Sequence, residues 1–419
     1  MPKFITDFHI HSKYSRAVSQ NMTLDNISEW GVKKGIEVIG TGDFTHPEWF
    51  KELTEKLERQ KNGLYSLKGT DQAMWFVPST ELSCIYSQNG RGHRIHIVIV
   101  APDLETVETI NAQLGWQGNL KSDGRPILGI SSIELASVVL GASSDCLIIP
   151  AHVWTPWFSL FGSMSGFDRL TDCFGEFSDQ VPAIETGLSS DPPMNWRLSQ
   201  LDSKQIVSFS DAHSLQNLGR EATVFELESL SYKNIATALR RPTEQNKISH
   251  TIEFYPEEGK YHWDGHRNCD VRWSPGQTAQ HNGLCPKCGK SVTVGVMNRV
   301  SVLADRPEGY NNDARPPYKS LVPLAEIIAE VLGVGKNSKS VQREYDQLIN
   351  GERNEFGVLL DMPIDALREI TLPKIAEGIQ RVRKGRIRIE PGFDGEFGTV
   401  KVFTEDEAFD EENAQASLF

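Results

Sequence analysis

Short apolar runs that each end in a histidine, aspartate or glutamate constrain this chain more than any other feature. The first, 3–10, reads as a strand and carries Asp7-Phe8-His9-Ile10-His11. Alternate residues of a strand share a face, so Asp7, His9 and His11 are expected to point the same way as potential metal ligands. An isolated His-x-His pair reads most simply as two surface histidines, but the later runs change that. Run 35–40 is followed by Asp43 and His46, and 75–78 by Glu81. His96 lies within 94–101, His152 follows 145–150, Glu185 follows 181–184, and Asp211 with His213 follows 205–209. Scatter would not place the chain's 11 histidines so regularly at the ends of runs. Helical periodicity at 24–34, 48–60, 131–140 and 231–240 separates the runs, which implies an α/β fold with a parallel sheet or a barrel. Active sites of parallel barrels form at the carboxyl ends of the strands, so a site holding several metal ions is expected there.

Five of these stretches are also motifs. Asp7-Phe8-His9-Ile10-His11-Ser12, Gly40-Thr41-Gly42-Asp43, Ser79-Thr80-Glu81, Ile95-His96 and Ser210-Asp211-Ala212-His213 occur in an order that resembles the PHP (polymerase and histidinol phosphatase) domain. The resemblance covers roughly residues 1–240. It implies a distorted (β/α) barrel that binds two or three divalent ions (Zn, Mn, Mg or Fe) and cleaves phosphoesters. By resemblance and by strand-end position the metal ligands are His9, His11, Glu81, His96, His152, Asp211 and His213, with Asp43, His46 and Glu185 as further candidates. Within that set His9, His11, Glu81, Asp211 and His213 are assigned to catalysis. The family's second motif has His directly after the Asp; here Phe44 stands there and His46 follows two residues later. Imidazole mixed with carboxylate suits transition metals better than Ca. Adjacent divalent ions activate water and neutralise phosphate, so no side-chain nucleophile is needed.

Arg16 is placed to reach a phosphate, or else is a solvated surface residue. The long insertion after His152 carries Trp154, Trp157 and Phe158. Long loops beside an active-site edge are usually functional, so these aromatics either form a small core of their own or wall a base-binding pocket.

A second unit is expected at 246–300. His266-x2-Cys269 and Cys285-x2-Cys288 are two ligand pairs at zinc-ribbon spacing, so one structural Zn is expected, with His262 and His281 as rival fourth ligands. The other cysteines, Cys84, Cys146 and Cys173, are scattered and read as reduced core residues.

Residues 301–403 read as a helical unit with helices near 323–332, 338–349, 363–371 and 373–384. The stretch 374–388 holds six basic residues against one acid, and Arg381, Arg383 and Lys384 are candidates to meet a phosphate backbone. The net charge of −13 does not exclude nucleic acid, because 405–412 alone holds six acids in a tail, 404–419, expected to be disordered. No run approaches a membrane span and the start lacks a signal-peptide pattern, so a cytoplasmic protein without membrane contact is expected.

The order of PHP barrel 1–245, zinc ribbon and helical unit, with Gly42 to Pro47 and the glycine-rich turn 391–398, resembles the endonuclease Q family. That resemblance implies a DNA repair endonuclease cutting 5′ of deaminated bases (uracil, hypoxanthine, xanthine) and of abasic sites, leaving 3′-hydroxyl and 5′-phosphate ends. Its partners would be lesion-bearing DNA and a replication clamp or other repair proteins. A small-molecule phosphatase on the same barrel, and a non-catalytic nucleic-acid binding module, are the rival readings.

Overall fold

The computed structural model describes residues 1–70 and 74–403; the acidic tail expected at 404–419 lies outside them. The α/β architecture is present. Lys3–Asp7, Val38–Gly40 and Trp75–Val77 pair in parallel. Ala222–Leu227 and Asn246–Glu253 extend this sheet on the other side of Lys3–Asp7, antiparallel. The helices between the strands follow from local signals. Leu24–Lys34 opens on Thr23, whose side chain accepts from the Asn26 N–H, and closes on left-handed Gly35. Ser132–Ala142 opens on a reciprocal cap between Ser131 and Glu134.

The expected barrel does not appear as one continuous hydrogen-bonded sheet. Its second half is a separate four-stranded sheet in the order Ile127–Leu128, Ser79–Gln88, Arg91–Val100, Leu147–Pro150. Ala183–Glu185 and Gln205–Val207 form a third, parallel pair. Between the expected runs 75–78 and 94–101 the chain forms an antiparallel hairpin, Ser79–Gln88 with Arg91–Val100. Pro78 and Pro150, which have no N–H, sit where the chain leaves one sheet for the next. At the carboxyl edge, single backbone bonds still join the pieces: the Val153 N–H donates to the Glu185 carbonyl (3.1 Å) and the His11 N–H to the Ala212 carbonyl (3.0 Å). The interior is apolar: Phe8 packs on Phe209 (5.0 Å between ring centres) among Val38, Val77, Val98 and Ile149.

The expected start of the ribbon unit, 246, falls inside a strand of the main sheet, since Asn246–Glu253 pairs with Ala222–Leu227. Beyond it, Asp264–His266 and Val271–Trp273 form a small antiparallel ladder over an apolar cluster of Val271, Cys285 and Val292. The glycine-rich turn docks here: Phe393 bridges Trp263, and Asp394 accepts from the Arg267 N–H at 2.8 Å. The helical unit comprises Leu324–Leu332, Lys339–Leu348, Ile364–Ile370 and Pro373–Arg383. It is fastened to the first helix by a buried ion pair, Lys34 to Glu355 at 2.6 Å, with the Tyr345 hydroxyl donating to the same carboxylate oxygen. Among the described residues no helix is long and apolar enough to cross a membrane.

Candidate metal centre and adjoining cavity

Glu81 lies at the middle of the strand-end residues, and its two carboxylate oxygens face different histidines. Oε2 lies 3.3 Å from His11 Nε2 and 3.5 Å from His9 Nε2. Oε1 lies 2.7 Å from His96 Nδ1 and 3.1 Å from His152 Nε2. Asp211 closes the first group, its Oδ1 3.1 Å from His11 Nε2 and 3.6 Å from His9 Nε2. Two candidate ion sites therefore share one carboxylate: His9, His11, Glu81 and Asp211 on one side, and Glu81, His96 and His152 on the other, with potential ligand atoms in each within 4.8 Å.

The donors fit divalent cations. His9 Nε2 is sealed from solvent with no hydrogen-bond partner, although it points between two carboxylates. Burying several carboxylates together is costly unless positive charge compensates them. Burial disfavours a charged His9, yet Glu185, Glu81 and Asp211 outweigh it and lift its pKa well above 6.5. Asp43 and Asp211 do the same for His11. Burial likewise opposes ionised Glu81, but His96, Arg125 and His9 hold it well below its ordinary range. For His96 burial wins: its pKa falls to about 4 despite Glu81, so its imidazole is in the neutral, ligating form.

Two expected ligands take another place. Asp43 turns one oxygen to His11 Nδ1 (3.0 Å) and the other to the Ser12 N–H (2.6 Å), the Ser12 hydroxyl and the Ser15 hydroxyl. Glu185 faces His9 Nδ1 at 2.9 Å and accepts from the His152 N–H at 2.8 Å. Both brace the ring nitrogen opposite the ligating one, which fixes tautomer and orientation. His46 joins neither group. It stands at the start of helix Pro47–Lys56 and stacks on Tyr14 (4.3 Å), because the chain turns away after buried Phe44. His213 stands beside the first group, its Nδ1 2.9 Å from the Asp211 carbonyl and its ring on His11 (4.7 Å). Asp7, expected on the ligand face, is instead a buried support. It accepts from the Ser210 N–H, the Ser210 hydroxyl and the Gly219 N–H, holding the loop that carries Asp211.

The backbone is strained at three residues of the site. Asp43 (φ 49°), His152 (φ 31°) and Asp211 (φ 45°) are all left-handed, a conformation that costs non-glycine residues about 1–3 kcal/mol and clusters at functional sites. Gly187 has no substitute, since a Cβ there would come within 2.4 Å of the His152 Cβ.

Beside His96 and His152 opens a cavity of about 540 Å³, walled by Arg94, Arg125, Trp157, Phe158, Lys260, Tyr261 and His262 among others. Arg125, which the motif pattern does not reveal, binds Glu81 Oε2 at 3.0 Å. Its backbone is held in place by Gly124, where a Cβ would approach Asp43 Oδ2 to 2.3 Å. The aromatic insertion divides. Trp157, 40% exposed, and Phe158, tilted against His96 at 4.8 Å, face the cavity. Trp154 is 1% exposed and donates its indole N–H to Asn195 at 2.8 Å, so it belongs to the core and not to a DNA-binding surface. Its burial follows from packing on Phe161 (4.9 Å).

The expected phosphate-binding arginines are differently placed. Arg16 is on the surface, with an 80% exposed side chain 3.3 Å from Asp123. Arg383 donates to the Leu359 (2.7 Å) and Val358 (2.8 Å) carbonyls, so its guanidinium holds a turn of the helical unit and is not available to a phosphate. Arg381 pairs with Glu377 at 2.9 Å, while Lys384 is exposed beside Arg386 and Arg388 along a basic groove. In the ribbon, His266, Cys269, Cys285 and Cys288 come together as a third candidate metal group. The rival His281 stacks on Trp273 (4.4 Å), and His262 lines the cavity.

Comparison with known proteins agrees with this geometry. A family model described as the MJ0043 C-terminal domain matches residues 323–386. The Bacillus subtilis protein YqxK is 30% identical over 416 residues, 96% of this chain and 100% of YqxK. MJ0043 of Methanocaldococcus jannaschii is 37% identical over 252 residues, 59% of this chain but only 31% of MJ0043 itself. The crystal structure of PfuEndoQ, a lesion-specific endonuclease from Pyrococcus furiosus, superposes with a TM-score of 0.85 at 32% identity, covering 99% of both chains. An endonuclease Q bound to a 27-mer duplex with an abasic lesion at its active site gives 0.83 at 32% identity, covering 97% of this chain and 98% of that one. Similarity extending over the strand-end site, the ribbon and the helical unit alike shows that the chain belongs to the endonuclease Q family.

Proposed function

We propose that this protein is a metal-dependent endonuclease that cuts DNA on the 5′ side of deaminated bases and abasic sites, leaving a 3′-hydroxyl and a 5′-phosphate. The carrying observation is Glu81, shared between two histidine groups beside a cavity lined by aromatics and cations. The family's lesion-specific member and its abasic-duplex complex support the same substrate class. His9, His11, Glu81 and Asp211 would hold one divalent ion, and Glu81, His96 and His152 a second, with His213 beside the first. Bound there, such ions supply Lewis-acid charge to the phosphate and lower the pKa of water. Asp43 and Glu185 keep His11 and His9 aimed at the shared centre. Arg125, between Glu81 and the cavity, is placed to hold a phosphate oxygen while fixing Glu81. Trp157 and Phe158 offer stacking surfaces for an extruded nucleotide. His266, Cys269, Cys285 and Cys288 would bind a structural Zn. A replication clamp and other repair proteins are partners that such a role implies.

The test offers the protein a labelled uracil duplex, an abasic duplex, an undamaged duplex and a phosphomonoester, each with Mn, with Mg and with chelator. Metal-dependent nicking of the first two alone is expected. Hydrolysis of the monoester without nicking would replace this reading with a phosphatase, and binding without cleavage under every metal would replace it with a DNA-binding module.

A further inference from the structure

Far along the chain from the strand-end ligands, the helical unit carries an excess of positive charge among the described residues. Its groove of about 420 Å³ is lined by Arg381, Lys384, Arg386 and Arg388 against a single acid, Glu377. Glu377 already pairs with Arg381 at 2.9 Å, and Arg388 pairs with Glu390 of its own strand at 2.7 Å. Lys384 and Arg386, both exposed, have no carboxylate beside them among the described residues. The adjoining ladder adds to the excess. Strand Arg388–Glu390 pairs antiparallel with Thr399–Lys401, which sets Arg388 directly opposite Lys401. Like charges opposite one another on a strand pair repel, so an anion placed there would stabilise the arrangement.

Phe403, the last described residue, belongs to the wall of this groove. Val402 and Phe403 both line it and are buried, with their N–H groups on the Glu330 carboxylate at 3.0 and 2.8 Å. The Arg381 guanidinium lies over the Phe403 ring at 4.8 Å. Glu405 follows two residues later, so its Cα can lie no further than about 7 Å from that of Phe403. Residues 405–412 hold six acids and no basic residue.

We propose that this basic groove is the docking site of the chain's own acidic segment 405–412, whose carboxylates pair with Lys384, Arg386 and Lys401. Tethering decides between this occupant and a phosphate backbone. A segment attached at the groove's wall meets it at an effective concentration on the order of millimolar. DNA has to be drawn from solution by a chain of net charge −13. The groove is thus filled from within the chain.

Amine acylation followed by mass spectrometry reads the docking directly. The full-length protein is compared with a full-length variant in which the six acids of 405–412 are replaced by Gln or Asn. Lys384 is expected to react about fivefold more slowly in the wild type, the scale that one or two exposed ion pairs supply. Lys51, exposed on helix Pro47–Lys56, is the reference and should react alike in both. In about 1 M salt, where the screening length falls to about 3 Å, the difference at Lys384 should vanish. Equal Lys384 rates at low salt would overturn the proposal. Protection that grows with protein concentration would overturn it too, by assigning the groove to the tail of a second copy. A third variant, Lys384→Gln with Arg386→Gln in an otherwise unchanged chain, is tested for binding to undamaged duplex. Unchanged affinity is expected, because the tail already occupies the groove; a fall in affinity would give the groove to DNA instead.

Discussion

The two kinds of candidate metal group in this chain are built in opposite ways. The strand-end group gathers His9, His11, Glu81, His152 and Asp211 from positions 9 to 211, with Asp43 bracing His11, Glu185 bracing His9, Arg125 holding Glu81 and Asp7 holding the loop of Asp211. The ribbon group draws its four candidate ligands from residues 266 to 288 and rests on a cluster of Val271, Cys285 and Val292. In the first, the fold positions the ligands, and removing the metal should leave the fold standing. In the second, the apolar cluster is too small to hold the ligands unaided, so metal and local fold stand together.

The largest effect expected from this contrast is at Asp211. Asp211→Asn keeps the shape but removes a ligand charge, and nicking should fall on the order of 10³-fold or more with melting temperature little changed. Near-normal turnover would take Asp211 out of the centre. The paired change Cys285→Ser with Cys288→Ser should do the reverse. One Zn per chain is lost and protease sensitivity rises across 260–294, while the strand-end metals stay. An unchanged Zn content would end the ribbon assignment. Braces should matter less than ligands, so Asp43→Asn is expected to cost about 10–100-fold in metal affinity or rate. A loss as large as that of Asp211→Asn would make Asp43 a ligand after all.

The aromatic insertion gives a smaller, sharper contrast. Trp157→Ala should weaken lesion-DNA binding by about 1–3 kcal/mol with undamaged duplex little affected. Trp154→Ala should instead lower stability by about 3–5 kcal/mol, since it empties a packed site. If both act on stability alone, the insertion is all core.

The smallest effect concerns a carboxyl away from the metals. Burial, with the nearby Asp191 charge, lifts the pKa of Glu253 from 4.5 to about 8. The folded chain therefore keeps a proton that the unfolded chain loses above pH 4.5. This contribution to stability is present below that pH and fades as pH rises to about 8. Glu253→Gln should flatten the decline in melting temperature over that window; an identical profile would exclude Glu253 as its source.

Local sequence determined a good deal of this. Helix Leu24–Lys34 has the bounds that its pattern and caps imply. Strand alternation put His9 and His11 on one side, and the x2 spacing of His266 with Cys269 and of Cys285 with Cys288 brought those four together. Each of these depends on periodicity or on spacing within a few residues, which the chain carries openly. What alternation alone could not say is that Asp7, on the same face, would be drawn inward by Ser210 and Gly219. Nor could it separate ligand from brace among Asp43, Glu185 and Glu81, because that depends on which histidine nitrogen each oxygen meets. Arg125 and His262 carry no motif, and they reach the cavity only because the 120s loop and the ribbon's edge pack against the strand ends. Arg383 reads in the sequence as a candidate phosphate contact, but the Leu359 and Val358 carbonyls claim it. Sequence determined which chemistry was available and at which edge; tertiary packing decided which atom faces which, because hydrogen bonds and ligation act over about three ångströms between residues far apart in the chain.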